Sequence, residues 1–169
     1  MMEQSFLNAD LIDIAPETAS CETDFKIYGK RSRFCGRIRT LKVFQDNGLV
    51  RRMSETPSDG EVLVVDGGGS RFGALMGDRL AAKAMRNGWA GVIIHGVIRD
   101  SVEINQLDFG VKALGTNPRK SPTEYQGQTD VPVSFGEVIF TPGQYLYSDE
   151  DGILVCDNPI EGELPPIDY

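Results

Sequence analysis

Two apolar runs constrain this chain more than any other feature. Val62-Leu63-Val64-Val65 and Val92-Ile93-Ile94-His95-Gly96-Val97-Ile98 carry almost no polar alternation. A strand that is apolar at successive positions is covered on both faces, the habit of central strands in a parallel sheet. Between the two runs, Leu80, Ala81, Ala84 and Met85 recur at helical spacing, and Gly88 supplies a C-terminal stop. The spacing predicts a helix over 74–87 flanked by strands at 61–66 and 91–95, a strand–helix–strand unit.

Around this unit the pattern predicts helices at 5–14, 46–54 and 101–107. It predicts strands at 36–44, 111–115, 131–135, 137–140, 145–147 and 152–156, with a poorly patterned stretch up to about residue 33. The first two thirds read as α/β and the remainder as mostly β. The 169 residues suit one domain over 1–169, with 158–169, around Pro165-Pro166, as a loosely ordered acidic tail. An apolar fraction of 40% is enough for a core without disulfide or metal staples.

Charge is distributed unevenly. Residues 1–24 hold six acids and no base, 25–52 hold nine bases and one acid (Asp46), and 149–169 hold seven acids and no base. Between Arg37 and Lys42 the bases partly alternate with apolar residues, as on the solvent face of a strand, with a bulge expected where alternation slips at Leu41. A solvated face paired with the acidic ends is therefore preferred over an anion-binding patch. The net charge of −8 argues against direct nucleic-acid binding. Cys21, Cys35 and Cys156 have no CxxC spacing. No basic leader, apolar leader or membrane-length run is present, so a cytoplasmic chain with reduced thiols, away from membranes, is expected.

Asp66-Gly67-Gly68-Gly69-Ser70 resembles a phosphate loop only superficially. Phe72 stands where GxGxxG needs its third glycine, and Ala74 where a Walker A motif needs lysine. Exposed amides of the glycines remain an expected seat for a ligand carboxylate. Gly77-Asp78 lies near a helix start, where an anion is favoured, and Asp78 reads equally as a cap or as a functional acid. Arg99-Asp100 follows the second apolar run, at the carboxyl end of a strand, where α/β sheets place ligands. Asp100 and Glu103 also fit a capping box, which leaves Arg99 unexplained. His95 reads as a core or interface histidine, and Trp89 as a packing residue.

At these residues the chain resembles the RraA-like family, which includes the regulator of ribonuclease E activity A and the class II 4-hydroxy-4-methyl-2-oxoglutarate aldolases. The resemblance covers about residues 5–157. It is carried by Val64-Val65-Asp66-Gly67-Gly68-Gly69-Ser70, Gly77-Asp78-Arg79-Leu80-Ala81, Asn87-Gly88-Trp89-Ala90-Gly91, the stretch from Leu114 to Ser121, and Asp149-Glu150-Asp151-Gly152. Aldolase members carry Asp, twenty residues, then Arg-Asp. Here twenty residues separate Asp78 from Arg99, and Asp100 follows.

The resemblance implies a single-domain layered β/β/α sandwich of the swivelling type, assembled as a homotrimer that some members double to a hexamer. It implies that Asp100 contacts Mg²⁺ or Mn²⁺ largely through waters and that Arg99 holds the substrate carboxylate. Gly77, Asp78, Arg79 and Leu80 would line the same ligand with backbone amides, and Asp78 would orient or deprotonate a water. The implied activity is metal-dependent release of pyruvate from 4-hydroxy-4-methyl-2-oxoglutarate, a small 2-oxo dicarboxylic acid, with decarboxylation of oxaloacetate. The alternatives are a regulator that binds ribonuclease E without chemistry, and a decarboxylase whose cellular role is neither.

Overall fold

The computed structural model describes residues 5–163 and 166. Eleven strands and four helices are assigned among them. The strands are β1 (Ala19–Ser20), β2 (Lys26–Tyr28), β3 (Phe34–Lys42), β4 (Val62–Asp66), β5 (Gly91–Ile98), β6 (Val111–Thr116), β7 (Gln128–Thr129), β8 (Val133–Phe135), β9 (Val138–Phe140), β10 (Tyr145–Asp149) and β11 (Gly152–Cys156). The helices are α1 (Asn8–Ile14), α2 (Gly48–Ser54), α3 (Asp78–Arg86) and α4 (Ser101–Ile104).

Nine strands form one sheet, ordered β1-β11-β10-β3-β4-β5-β6-β2, with β7 also paired to β3. The strands β3, β4, β5 and β6 run parallel, linked by α2, α3 and α4 in turn. β3 is the join. Its residues 34–37 pair antiparallel with β10, and its residues 38–42 pair parallel with β4. The hairpin β8-β9 stands apart as a second small sheet.

The apolar runs are explained by coverage on both faces. Leu63, Val65, Val92 and Ile94 face a core built with α2, α3 and Trp89. Val62, Val64 and Ile93 face the other way, against Val133, Phe135, Val138 and Phe140 of the hairpin. Hairpin, sheet and helices thus make the layered β/β/α arrangement. A smaller apolar cluster lies beneath α1, joining Phe6 and Leu11 to Tyr147 and Leu154.

Two sequence expectations about this frame need correction. β3 has no bulge at Leu41, for its register with β4 is continuous from Ile38 to Lys42. Alternation slips because both faces are covered there. Leu41 enters the helix-side core, and the Thr40 hydroxyl donates to the Val131 carbonyl on the other side. The irregularity lies in β5 instead, between Ile94 and Val97.

Helix α3 begins at Asp78, not at residue 74. Residues 74–76 spend their backbone groups sideways: Ala74 N–H on Arg119 O, Leu75 N–H on Val97 O, and Met76 O on Arg99 N–H. Those bonds leave nothing for a helical turn. The far end of α3 follows its sequence signal, with Gly88 at φ +92°. Gly88 N–H reaches Met85 O and Trp89 N–H reaches Ala84 O, the paired bonds of a Schellman stop. The unpatterned stretch before residue 33 contains β1 and β2, strands of two and three residues that are too short to show a period.

The basic block is neutralised in part. Arg31 pairs with Asp108, Arg33 with Glu150, and Arg39 with Asp130. Only Glu150 belongs to the acidic C-terminal segment. At the other end of the chain, the Ile160 amide donates to the Tyr147 hydroxyl. The part of the expected tail at 164–165 and 167–169 lies outside the described residues. None of the three cysteines is in a disulfide. Among the described residues no helix is long and apolar enough to cross a membrane.

Candidate functional site

Where β5 ends and α3 begins, the structure opens a cleft of about 580 Å³, within the ~300–1,000 Å³ usual for ligand pockets. Gly77, Asp78, Arg79, Leu80, Arg99 and Asp100 all line it. The six residues that the resemblance names for substrate or metal thus line one cleft, although the two segments are about twenty residues apart in the chain.

The convergence has a local cause. Arg99 N–H is fixed on Met76 O, which docks the end of β5 against the approach to α3. Asp100 then adopts φ +58°, ψ +42°, a left-handed conformation that Asp tolerates better than most residues. This turns its carboxylate away from α4, the helix it precedes. Asp100 makes no side-chain cap to α4, so the expected capping box with Glu103 does not form. Oδ2 of Asp100 instead accepts the Asp78 amide at 3.2 Å and lies 4.0 Å from Arg99 Nε. It sits at the N-terminus of α3, where the helix dipole favours an anion.

Gly77 makes this approach possible. A Cβ there would stand 2.6 Å from Asp100 Oδ2 and 3.5 Å from Arg99 Cγ. Asp78 is the first residue of α3, with Gly77 as N-cap and no side-chain cap. Its carboxylate is therefore not spent on capping. The Arg79 and Leu80 amides precede the first intrahelical bond, Ala81 N–H to Gly77 O, and have no partner among the described residues.

The glycine loop plays a different part from the expected one. Gly67 and Gly69 amides both donate to His95 O, and Gly68 donates to Asp66 Oδ1. Those amides are consumed in shaping the turn and cannot receive a carboxylate. His95 is half-buried, stacked on Phe135 at 4.6 Å and 3.7 Å from Asp66. It does not line the cleft. Trp89 is fully buried, its indole N–H donating to Thr56 O, and it packs as expected.

Sequence reasoning missed the rest of the lining. Asn47, Arg51, Lys83, Lys120 and Thr123 also line the cleft. Asp46, buried, joins the start of α2 to the loop after Thr123 by accepting amides of Gly48, Glu124 and Tyr125. The lone acid in a basic block was its only sequence signal. With Arg79 and Arg99, the cleft carries five cations against the two acids Asp78 and Asp100, a formal +3 within a chain of −8.

Among the described residues no group of three His, Cys, Asp or Glu side chains converges to hold a metal. The two carboxylates of the cleft, Asp78 and Asp100, fit Mg²⁺ or Mn²⁺, hard ions that keep several waters and take one or two carboxylates. Asp100 Oδ1 has no hydrogen bond among the described residues, and Asp78 is nearby on the same wall.

The structure is thus a layered β/β/α domain with a cationic, carboxylate-bearing cleft at the end of a parallel strand. The Aldolase/RraA profile, described as RraA-like, matches residues 8–155, and the chain belongs to that family. A protein of Aromatoleum aromaticum that carries the name "Putative 4-hydroxy-4-methyl-2-oxoglutarate aldolase" is 50% identical over 156 residues, 92% of this chain and 98% of its own. Two solved structures superpose with TM-scores of 0.90. One is an RNA-processing inhibitor RraA from Thermus, 45% identical over 94% of this chain and 97% of that one. The other, from Geobacillus kaustophilus, is described as an S-adenosylmethionine:2-dimethylmenaquinone methyltransferase, 50% identical over 92% of this chain and 97% of that one.

Proposed function

We propose that this chain is a divalent-metal-dependent lyase that cleaves 4-hydroxy-4-methyl-2-oxoglutarate to pyruvate and also decarboxylates oxaloacetate. The three relatives bear three different activities in their names, so the choice rests on the site. The observation that carries it is the meeting of Asp78, Arg99 and Asp100 in one cationic cleft.

Both reactions break the bond between C3 and C4 of a 2-oxo acid and send its electron pair toward the keto oxygen. Arg99 offers the planar, two-pronged grip on the C1 carboxylate that a lysine lacks. The unpartnered Arg79 and Leu80 amides add donors for the same end of the ligand. When bound at Asp100, Mg²⁺ or Mn²⁺ supplies Lewis-acid stabilisation of the charge that grows on the keto oxygen. Asp78 orients or deprotonates a water that takes the C4 hydroxyl proton during aldol cleavage. The departing fragment becomes one pyruvate, and protonation at C3 makes the second. No lysine stands in the motif, so a Schiff-base route is not invoked.

The decisive measurement is pyruvate release from both substrates by wild type, Arg99→Ala and Asp100→Ala, with and without EDTA. Activity that needs added Mg²⁺ or Mn²⁺, and that falls at least 100-fold in either variant, is expected. Metal-independent turnover, or full activity in both variants, overturns the mechanism.

The likeness to the Thermus RNA-processing inhibitor favours one further reading, regulation of ribonuclease E by protein contact. A pull-down of ribonuclease E with Arg99→Ala separates the two. Binding retained while catalysis is lost would show two independent functions. The assembly inferred is a homotrimer, for which Phe44 and Phe72, 64% and 50% exposed, are apolar surface to be covered. Elution at monomer size from gel filtration would overturn it.

A further inference from the structure

We propose that Asn47, Arg51 and Lys120, which line the same cleft as Arg99, form a second, anion-binding subsite that holds the distal carboxylate of the substrate and favours aldol cleavage over decarboxylation. The inference rests on the lyase reading above and assigns that site its selectivity.

Three observations meet here. Asn47 is 6% exposed and lines the cleft. Its Oδ1 accepts the Thr123 hydroxyl at 2.6 Å, and Nδ2 has no hydrogen bond among the described residues. The bond to Thr123 fixes the orientation of the amide, so that Nδ2 is the end left free to donate to a ligand in the cleft. Lys120 makes no ion pair among the described residues, and its backbone is held in place by bridge pairing with Ala74. Arg51 and Lys83 share a single carboxylate oxygen, Glu55 Oε1, at 3.3 and 2.9 Å, so one acid is divided between two cations. After Arg99 and the α3 amides have taken a C1 carboxylate, Arg51, Lys83 and Lys120 still hold positive charge that Glu55 alone does not balance.

Charge placement sets the selectivity. In aldol cleavage of 4-hydroxy-4-methyl-2-oxoglutarate, the C5 carboxylate leaves intact on the pyruvate formed from C4. A cation that grips it in the ground state grips it equally in the transition state. In oxaloacetate decarboxylation, the distal carboxylate is itself the leaving group and departs as CO₂, giving its electron pair to the C3 side. Cations that hold its charge in place oppose that step. The subsite therefore assists one reaction and restrains the other.

The test uses Arg51→Gln, Lys120→Gln and the double variant, all at exposed positions, with melting curves to verify folding. Expected is a drop in the ratio of aldol kcat/KM to decarboxylation kcat/KM on the order of tenfold per substitution, since a charged hydrogen bond contributes about that much. Calorimetric binding of 2-oxoglutarate, which keeps the distal carboxylate but lacks the C4 hydroxyl, is compared with that of pyruvate. Wild type should prefer 2-oxoglutarate at least tenfold, and the double variant should lose that preference. Parallel loss of both reactions, or the same preference in wild type and double variant, overturns the subsite. If wild type releases no pyruvate, the lyase reading falls while the binding comparison still decides the subsite.

Discussion

Gly77 is the position at which the smallest change should do the most harm. Its φ of −120° is open to any residue, so the requirement is for space alone. Gly77→Ala puts a methyl 2.6 Å from Asp100 Oδ2 and forces the carboxylate aside. A displacement near 1 Å at reacting groups costs on the order of 100-fold in rate. We expect kcat/KM to fall by about that factor with little change in melting temperature, as steady-state kinetics and thermal scans would show. At this scale the sequence spoke well of Asp78, Arg99 and Asp100, because charge beside an apolar run is conspicuous. It said little of Asn47, Arg51 and Lys120, which belong to a helix start and a loop brought close by long-range bonds through Asp46, Asn47 and Ala74.

Among the elements, α3 depends on its stop. Gly88 stands at φ +92°, and a Cβ would meet Ser58 O at 2.3 Å. Gly88→Ala should cost about 2 kcal/mol in urea unfolding, from left-handed strain plus that clash. Strand β6 carries a different liability. Lys112 is buried, its Nζ donating to Asp149 O and Gly152 O, and burial pulls its pKa down to about 8. Between about pH 8 and 10.5 the unfolded chain keeps a proton that the folded chain has released, so raising pH across that window stabilises the fold. The stability of wild type relative to Lys112→Met should rise by roughly 3 kcal/mol over that range in denaturant titrations. Long, doubly covered strands were legible from their composition. The start of α3 was not, because lateral backbone bonds to residues 97, 99 and 119 override a helical pattern that is locally sound. The supposed bulge at Leu41 failed for a related reason: a hairpin distant in sequence covers the second face of the sheet.

For the molecule as a whole, the opposition between a −8 chain and a +3 cleft governs encounter with ligand. A dianion is repelled by the surface at long range and drawn in near the mouth of the cleft. Salt screens both, but the cleft charges lie close to the ligand and dominate. Raising ionic strength from about 0.05 to 0.5 M should therefore raise KM for oxaloacetate several-fold while leaving kcat nearly constant. A KM that falls with salt would mean that surface repulsion controls access. The strand shared by both halves of the sheet has its own consequence. β3 is flanked along its length, by β10 on residues 34–37 and by β4 on residues 38–42. Neither half can shed its partner without exposing amides of the same strand. Amide hydrogens of β3 should then exchange with deuterium only through global opening, the slowest in the protein, so that the cleft rests on a frame with no independent weak half.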